Sequence, residues 1–319
     1  MPSVVGSVQL SDIQEAKEYM KGKLQPTPLV QLWEHKNIFL KMENLHPIGS
    51  FKLRGALNAI RKIPIEKLEL GICTASAGNF AQGLAWNAKN MDLTCNVLVP
   101  SHAPLTKVSA VEKLGGIITK VQFDKWWEAI ETHSYEGMQG TFVHPVCEPD
   151  VVAGNGTIGL EIVDCIPDIS NIIVPYGGGG LICGIAIAAK AHNPNIKVYA
   201  CEVETACPLK ASLQAGEPVE FPYQASFVDG MGGKSVLPEM WPLVKSLVTD
   251  SIVVSLQEVA DAIKLLSERN HIRAEGAGAA TVAAAMKGVV GEGKTACIIS
   301  GGNIDTDKYI QCLQGRVPS

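Results

Sequence analysis

Four consecutive glycines, Gly177-Gly178-Gly179-Gly180, follow the apolar segment Ile172 to Val174 and lead into a second apolar stretch that begins at Leu181. With no Cβ at any of the four, the backbone can turn tightly, and its successive N–H groups can converge on one anion at the positive end of the following helix. The run therefore reads as a phosphate cup. A hinge or a site of close helix packing is the competing reading, and the position at a helix start favours the cup. No Gly-Lys-Ser/Thr follows, so a nucleotide-hydrolysing loop is not indicated. Thr74-Ala75-Ser76-Ala77-Gly78-Asn79 and Ser300-Gly301-Gly302-Asn303 are likewise small, polar turns that end apolar segments.

Lys52 lies in Pro47-Ile48-Gly49-Ser50-Phe51-Lys52-Leu53-Arg54-Gly55, beside a phenylalanine and between glycines. A lysine amine in an apolar pocket is easier to deprotonate and becomes a Schiff-base former. Most lysines are solvated, and these residues alone leave both readings open. Gly154-Asn155-Gly156-Thr157-Ile158-Gly159 satisfies the dinucleotide pattern GxGxxG literally. Its context does not fit: Pro149 interrupts the strand that should precede it, Pro167 ends the helix early, and no acid stands about 20 residues on. A nicotinamide-dependent dehydrogenase is the weaker alternative.

These turns need strands and helices to hold them. Short apolar runs predict strands over Ile38 to Leu40, Gly71 to Thr74, Cys95 to Val99, Ile117 to Val121, Ile172 to Val174, Val198 to Ala200 and Ala296 to Ser300. Between them, helical spacing appears over Ser11 to Lys21, Gly55 to Lys62, Asn79 to Lys89, Leu105 to Leu114, Leu181 to Ala191, Leu256 to Glu268 and Ala277 to Lys287. The alternation predicts an α/β protein of open, mostly parallel twisted sheets wound with helices, whose ligands bind beyond the carboxyl ends of the strands. A length of 319 residues suits two domains. No repeat, low-complexity tract or polar linker marks a boundary.

Composition narrows the function further. The net charge is −5 and no basic block occurs, which argues against a nucleic-acid partner. The nine cysteines form no CxxC pair and read as small buried hydrophobes of a reducing compartment, and the histidines lack zinc spacing. Asn155-Gly156-Thr157 is a glycosylation sequon of a kind frequent by chance. The N-terminal segment lacks the charged start and apolar run of a signal peptide, and Pro175 with the four glycines breaks the one stretch nearly long enough to cross a bilayer. A cytoplasmic protein without a membrane partner is expected.

In order, Ser50-Phe51-Lys52-Leu53-Arg54-Gly55-Ala56, Ser76-Ala77-Gly78-Asn79, His144-Pro145, Ala153-Gly154-Asn155-Gly156-Thr157-Ile158-Gly159-Leu160-Glu161 and Ser300-Gly301-Gly302-Asn303 resemble the fold-type II enzymes that use pyridoxal 5′-phosphate (PLP). The likeness runs from Thr27-Pro28-Leu29 to Asn303 and is greatest to the threonine and serine dehydratases and serine racemase. It implies a tryptophan synthase β-like pair of sheets with the cofactor in the interdomain cleft. Residues 1–49 plus 150–319 would form the large domain and 50–149 the small one, in a subunit that pairs as a homodimer. It also implies that Lys52 carries the cofactor as a Schiff base, that Phe51 packs on its ring and that Asn79 binds the 3′-oxygen. Gly177, Gly178, Gly179, Gly180 and Leu181 would hold the phosphate, and Ser300 would face the ring nitrogen. Ser76, Ala77, Gly78, Asn79 and Phe80 would surround the substrate, with Lys52, Ser76 and Ala77 nearest the chemistry. The expected reaction removes the hydroxyl and amino groups of L-threonine, L-serine or another β-hydroxy amino acid, leaving a 2-oxo acid and ammonia. In this family a neutral serine beside the ring nitrogen favours elimination over transamination, and the cofactor phosphate serves as proton donor to the leaving hydroxyl.

Three departures bear on specificity. Ala77 stands where serine racemase carries its second acid/base serine, so little racemisation is expected. Phe80 replaces the histidine common in dehydratases, which is either a repacked helix start or a pocket reshaped for a bulkier substrate such as phenylserine; hydroxyaspartate dehydration and other β-elimination or replacement remain alternatives. Glu202, Ala206 and Pro208 occupy the family's cation positions; with proline in place of an aspartate, and Glu204 as a partial substitute only, no tight metal is expected. The chain is also too short for the regulatory domain of biosynthetic threonine dehydratases.

Overall fold

The computed structural model describes residues 5–103 and 105–318. The first third runs α1 (Leu10–Met20), β1 (Leu29–Leu32), β2 (His35–Lys41), α2 (Lys52–Lys62), β3 (Ile72–Ala75), α3 (Asn79–Asn90) and β4 (Cys95–Pro100). It continues through α4 (Leu105–Lys113), β5 (Ile117–Val121), α5 (Phe123–Thr132), β6 (Thr141–Phe142), α6 (Pro149–Cys165), β7 (Ile169–Pro175), α7 (Gly180–His192) and β8 (Lys197–Val203). The last third holds α8 (Pro208–Ala215), α9 (Trp241–Leu247), β9 (Asp250–Val254), α10 (Leu256–Arg269), α11 (Gly276–Met286), β10 (Lys294–Ile298) and α12 (Thr306–Leu313).

Two sheets result: six strands ordered β1-β2-β10-β7-β8-β9, and four ordered β5-β4-β3-β6. The β1–β2 hairpin is antiparallel, and every other pairing between these strands is parallel. Parallel strands need apolar cover on both faces. Helices α6 and α7 supply it on one side of the large sheet, where Ile158, Ile162, Ile182 and Ile185 pack with Ile172 and Val174. The chain from α10 to α12 covers the other, packing Ile263, Ala280 and Cys312 against Ile173 and Cys297.

In each sheet the strand order reverses at one place: between β7 and β10 in the large sheet, and between β3 and β6 in the small one. At such a switch the connections leave in opposite directions and open a crevice at the carboxyl ends. Ser76–Asn79 follows β3, His144-Pro145 follows β6, the four glycines follow β7, and Ser300-Gly301 follows β10. One topological feature thus gathers four segments that are far apart in sequence.

The GxGxxG run has a different role from the one its spacing suggests. It lies inside α6, with Pro149 in the first helical turn where its missing N–H costs nothing. A Cβ on Gly154 would meet the Arg54 carbonyl at 2.7 Å, one on Gly156 the Gly184 carbonyl at 2.9 Å, and one on Gly159 the Ile185 carbonyl at 2.7 Å. These glycines let α2, α6 and α7 pack backbone to backbone. Asn155 and Thr157 of the sequon are buried in the same contact.

A buried charge network fixes the rotation of α2. Arg54 donates to Glu43 at 2.8 and 2.9 Å and to Glu161 at 2.6 and 2.8 Å, while Lys41 contacts Glu161 and donates to the Thr27 carbonyl at 2.6 Å. Burial alone would push the Glu43 carboxyl up; Arg54 and His46 together more than reverse this and hold it well below the usual carboxylate range. Helix α2 also begins three residues earlier than its sequence pattern predicts, so Lys52 sits in its first turn.

Among the cysteines, Cys165 is exposed and Cys207 half-buried, which corrects the expectation that all nine are interior; the other seven are buried. Among the described residues no helix is long and apolar enough to cross a membrane.

Candidate active site

The four post-strand segments border one cleft of about 650 Å³. Phe51, Lys52, Ser76, Ala77, Gly78, Asn79, Phe80, Gly177 to Leu181 and Ser300 all line it. Each residue named above for the cofactor and substrate therefore faces the same space, although the stretch from Phe51 to Ser300 spans most of the chain.

The segment that carries Lys52 is strapped to the end of β10. Phe51 donates its N–H to the Ser300 carbonyl at 3.0 Å, and Gly302 donates to the Gly49 carbonyl at 2.9 Å. Gly49 has φ +68°, and a Cβ there would also strike the Asn303 side-chain oxygen at 2.8 Å, so glycine is needed on both counts. From this anchor the Lys52 amine reaches into the cleft and donates to the Pro145 carbonyl at 3.2 Å. The Phe51 and Phe80 rings lie 5.2 and 5.5 Å from it. Burial lowers the amine's pKa to about 8, partly offset by the Glu275 carboxylate. Lys52 is thus half-buried in the cleft, which favours the pocket reading over that of a freely solvated side chain.

The glycine turn is backbone presented to the cleft. Gly179 takes φ +97° and precedes the first turn of α7, whose N–H groups have no partners within the helix. Behind it sits Val146: a Cβ on Gly178 would lie 2.6 Å from both Val146 methyls, and one on Gly180 would lie 3.1 Å from the Val146 carbonyl. Bare amides at a helix N-terminus suit a phosphate, and an amine that readily loses its proton suits an aldehyde. The donor set fits a ligand that carries both groups.

Glu275 is a site residue that sequence reasoning missed. It stands at the start of α11, a position where an acid often caps its own helix, yet its carboxylate makes no cap bond. The carboxylate turns into the cleft instead, where Asn79 Nδ2 donates to its two oxygens at 3.0 and 3.2 Å. Asn79 Oδ1 in turn accepts from Asn303 Nδ2 at 2.8 Å. Burial raises the Glu275 pKa to about 7, against the lowering effect of the Asn79 bond. Gly301 and Gly230 make room for it, since a Cβ on either would lie 2.6 or 3.1 Å from Oε1. The acid beside the small-residue run Gly276-Ala277-Gly278 was the available signal.

Two further features emerge only from tertiary structure. His102, Phe123 and Trp126 line the cleft and touch one another, with ring centroids 5.8 Å apart for His102–Phe123 and 5.7 Å for Phe123–Trp126. Lys107 of α4 pairs with Asp229 at 2.6 Å, tying the small-sheet side of the cleft to the large-sheet side. Ser76, expected near the chemistry, lines the cleft and accepts the Gly78 N–H at 3.3 Å. Phe80 is 2% exposed in the small-sheet core, and its ring also borders the cleft.

The candidate cation residues are engaged elsewhere. Glu202 accepts from the Leu209 and Lys210 N–H groups at 2.8 Å each and from the Ser251 hydroxyl at 2.6 Å, so it caps α8 from below. Glu204 accepts from the Leu256 N–H at 2.9 Å, at the start of α10.

Comparison with known proteins places this arrangement. Residues 21–301 match the family described as pyridoxal-phosphate dependent enzyme. The chain belongs to that family. It is similar to the L-threonine ammonia-lyases of Thermotoga maritima, 40% identical over 308 residues (94% of this chain and 77% of the relative), and Geobacter sulfurreducens, 39% identical over 302 residues (92% and 75%). Among solved structures, maize serine racemase superposes with a TM-score of 0.87 at 31% identity, covering 97% of each chain. The fold expected of a fold-type II PLP enzyme is the one observed, and PLP is this family member's cofactor.

Proposed function

We propose that the protein is a PLP-dependent ammonia-lyase that removes water from a β-hydroxy amino acid such as L-threonine or L-serine and yields a 2-oxo acid and ammonia. The observation that carries this reading is the Lys52 amine, lowered to about pKa 8, in one cleft with the four-glycine turn. Both named relatives are L-threonine ammonia-lyases, which supports the choice of substrate.

In this reading Lys52 would hold the cofactor's aldehyde carbon, and the N–H groups from Gly177 to Leu181 would hold its phosphate. Asn79, whose Nδ2 donates to both Glu275 oxygens, would be the partner of the cofactor's 3′-oxygen. Phe51 would pack on the ring, and Ser300 would offer the ring nitrogen a hydroxyl rather than a carboxylate. When bound, the cofactor supplies a sink for the electron pair left at the substrate Cα. The turn Ser76-Ala77-Gly78, with the first turn of α3, presents N–H groups to the substrate carboxylate. The Lys52 amine would serve as a base at the substrate Cα proton, since an amine with a pKa near 8 is partly neutral at physiological pH. Loss of the β-hydroxyl with a proton as water would give, once the product nitrogen is freed by return of the Lys52 amine to its place, an enamine that tautomerises to an imine and adds water to yield ammonia and the 2-oxo acid.

A bulkier substrate is the second reading, favoured by the His102, Phe123 and Trp126 strip along the cleft. Racemisation is disfavoured by Ala77, whose methyl group cannot deliver a proton. The lobes would be residues 1–49 with 150–319 and residues 50–149, closing on substrate to exclude water, with the Lys107–Asp229 pair across the opening. A cytoplasmic homodimer completes the reading; light scattering at twice the chain mass would test the pairing.

The deciding assay supplies L-threonine, L-serine and phenylserine to the PLP-loaded protein and measures 2-oxo acid, ammonia and D-amino acid. Turnover of one of these to 2-oxo acid and ammonia, with D-serine negligible, is expected. Rapid D-serine formation without 2-oxo acid would replace this reading with a racemase.

A further inference from the structure

His144 follows the short strand β6, is 2% exposed, and belongs to a His-Pro pair that the proposed chemistry does not use. Its Nδ1 accepts two backbone N–H groups, from Val146 at 3.0 Å and Cys147 at 2.7 Å. A nitrogen that accepts twice carries no proton, so the ring proton belongs on Nε2, which faces the backbone of Ile130. Burial lowers the ring's pKa to about 3, with His133 and the Lys52 ammonium acting in the same direction; the His133 ring is stacked 4.4 Å away.

The turn that this nitrogen organises touches both ends of the cofactor site. The Pro145 carbonyl receives the Lys52 amine, while the Val146 side chain and carbonyl back Gly178 and Gly180. Proline has no N–H with which to pin the turn, so the imidazole acts as a side-chain acceptor for the two amides that follow. Loss of that acceptor would strand two N–H groups and free Val146 to move into the glycine turn. We propose that His144 is a positioning residue: its unprotonated Nδ1 holds residues 145–147 so that the Lys52 amine and the Gly177–Gly180 cradle keep the spacing that one PLP molecule requires. The inference rests on the PLP reading of the cleft.

The test compares His144→Asn, His144→Phe and wild type. Asparagine places its side-chain oxygen near the position of Nδ1 and can accept both amides; phenylalanine keeps the ring volume but offers no acceptor. Three readouts are needed: the melting temperature of the apo proteins, the dissociation constant for PLP, and the fraction of bound PLP that borohydride fixes to lysine. The Phe variant should fold, bind PLP at least about tenfold more weakly, and show a reduced fixed fraction, while the Asn variant should stay within about threefold of wild type. Equal PLP affinity in all three proteins, or an Asn variant as impaired as the Phe variant, overturns the proposal. If the Phe variant does not fold, ¹⁵N shifts of His144 in the apo wild type decide instead: an Nε2–H tautomer supports the proposal and an Nδ1–H tautomer overturns it. Failure of wild type itself to bind PLP would sink the functional reading first, and this inference with it.

Discussion

Asn79 Nδ2 donates to both carboxylate oxygens of Glu275, at 3.0 and 3.2 Å, so a residue that follows the small sheet's β3 is oriented by one that precedes α11 on the large sheet. Because Asn79 Oδ1 is already taken by Asn303, the amide cannot flip without losing bonds on both sides. Glu275→Ala leaves a half-buried donor without its protein partner, at a cost of about 1 kcal/mol or more. PLP affinity should fall by about five- to 150-fold. Glu275→Gln keeps one acceptor and should lose less. Fluorescence titration of the apo proteins with PLP measures both, and equal losses in the two variants would contradict the orienting role.

Lys52 gives a pH prediction with a defined sign. Its amine is protonated below about pH 8 and neutral above, and the neutral form attacks an aldehyde. The rate at which apo protein takes up PLP covalently should rise with pH, pass its midpoint near 8 and then level off. Glu275 raises the Lys52 pKa, so Glu275→Ala should move the midpoint to lower pH. Stopped-flow absorbance across pH 6–10 reads both midpoints; a wild-type midpoint near that of an ordinary lysine, about 10.4, would contradict the burial argument.

Arg54 is the hub of the buried network beneath Lys52. Arg54→Met leaves Glu43 and Glu161 without their shared partner and should destabilise the protein by about 3–5 kcal/mol, measured by urea unfolding. The Glu43 carboxyl is held below its unfolded value of about 4.3, so its contribution is complete above that pH and is lost as pH falls further. The variant should show a weaker dependence of stability on acid than wild type. A loss below about 1 kcal/mol would mean that the network positions α2 without stabilising it.

Much of the site could be read from local sequence, for a physical reason. In parallel α/β sheets the ligand-binding turns are short segments between a strand and a helix, and Ser76–Asn79, Gly177–Gly180 and Ser300–Asn303 each carry that signature. Glu275, Trp126 and the Pro145 carbonyl reach the cleft only through packing between distant segments, and a backbone carbonyl carries no residue-type signal. The sequence pattern also missed β1, β6 and β9: β1 is only four residues long and β6 two, and β9 opens with Asp250-Ser251, which reads as a turn. Helix α5 has an amphipathic pattern that was overlooked, and Trp126 was lost with it. The GxGxxG run shows the opposite error, a phosphate-loop spacing used for helix packing.

That packing role is testable. A Cβ on Gly184 would lie 2.3 Å from the Val152 carbonyl, a backbone atom that cannot swing away. Gly184→Ala should therefore destabilise the fold by about 3 kcal/mol or more, read from the denaturant midpoint. NAD should not bind the wild type in calorimetry. Measurable NAD affinity would return the dinucleotide alternative to consideration.

The account depends most directly on which amine holds the cofactor. The wild-type protein, loaded with PLP and reduced with borohydride, can be digested and its peptides sequenced by mass spectrometry. A single pyridoxyl group on Lys52, absent from Lys52→Ala, is the predicted result. A pyridoxyl group on another lysine, or none on a protein that has bound PLP, would contradict the assignment.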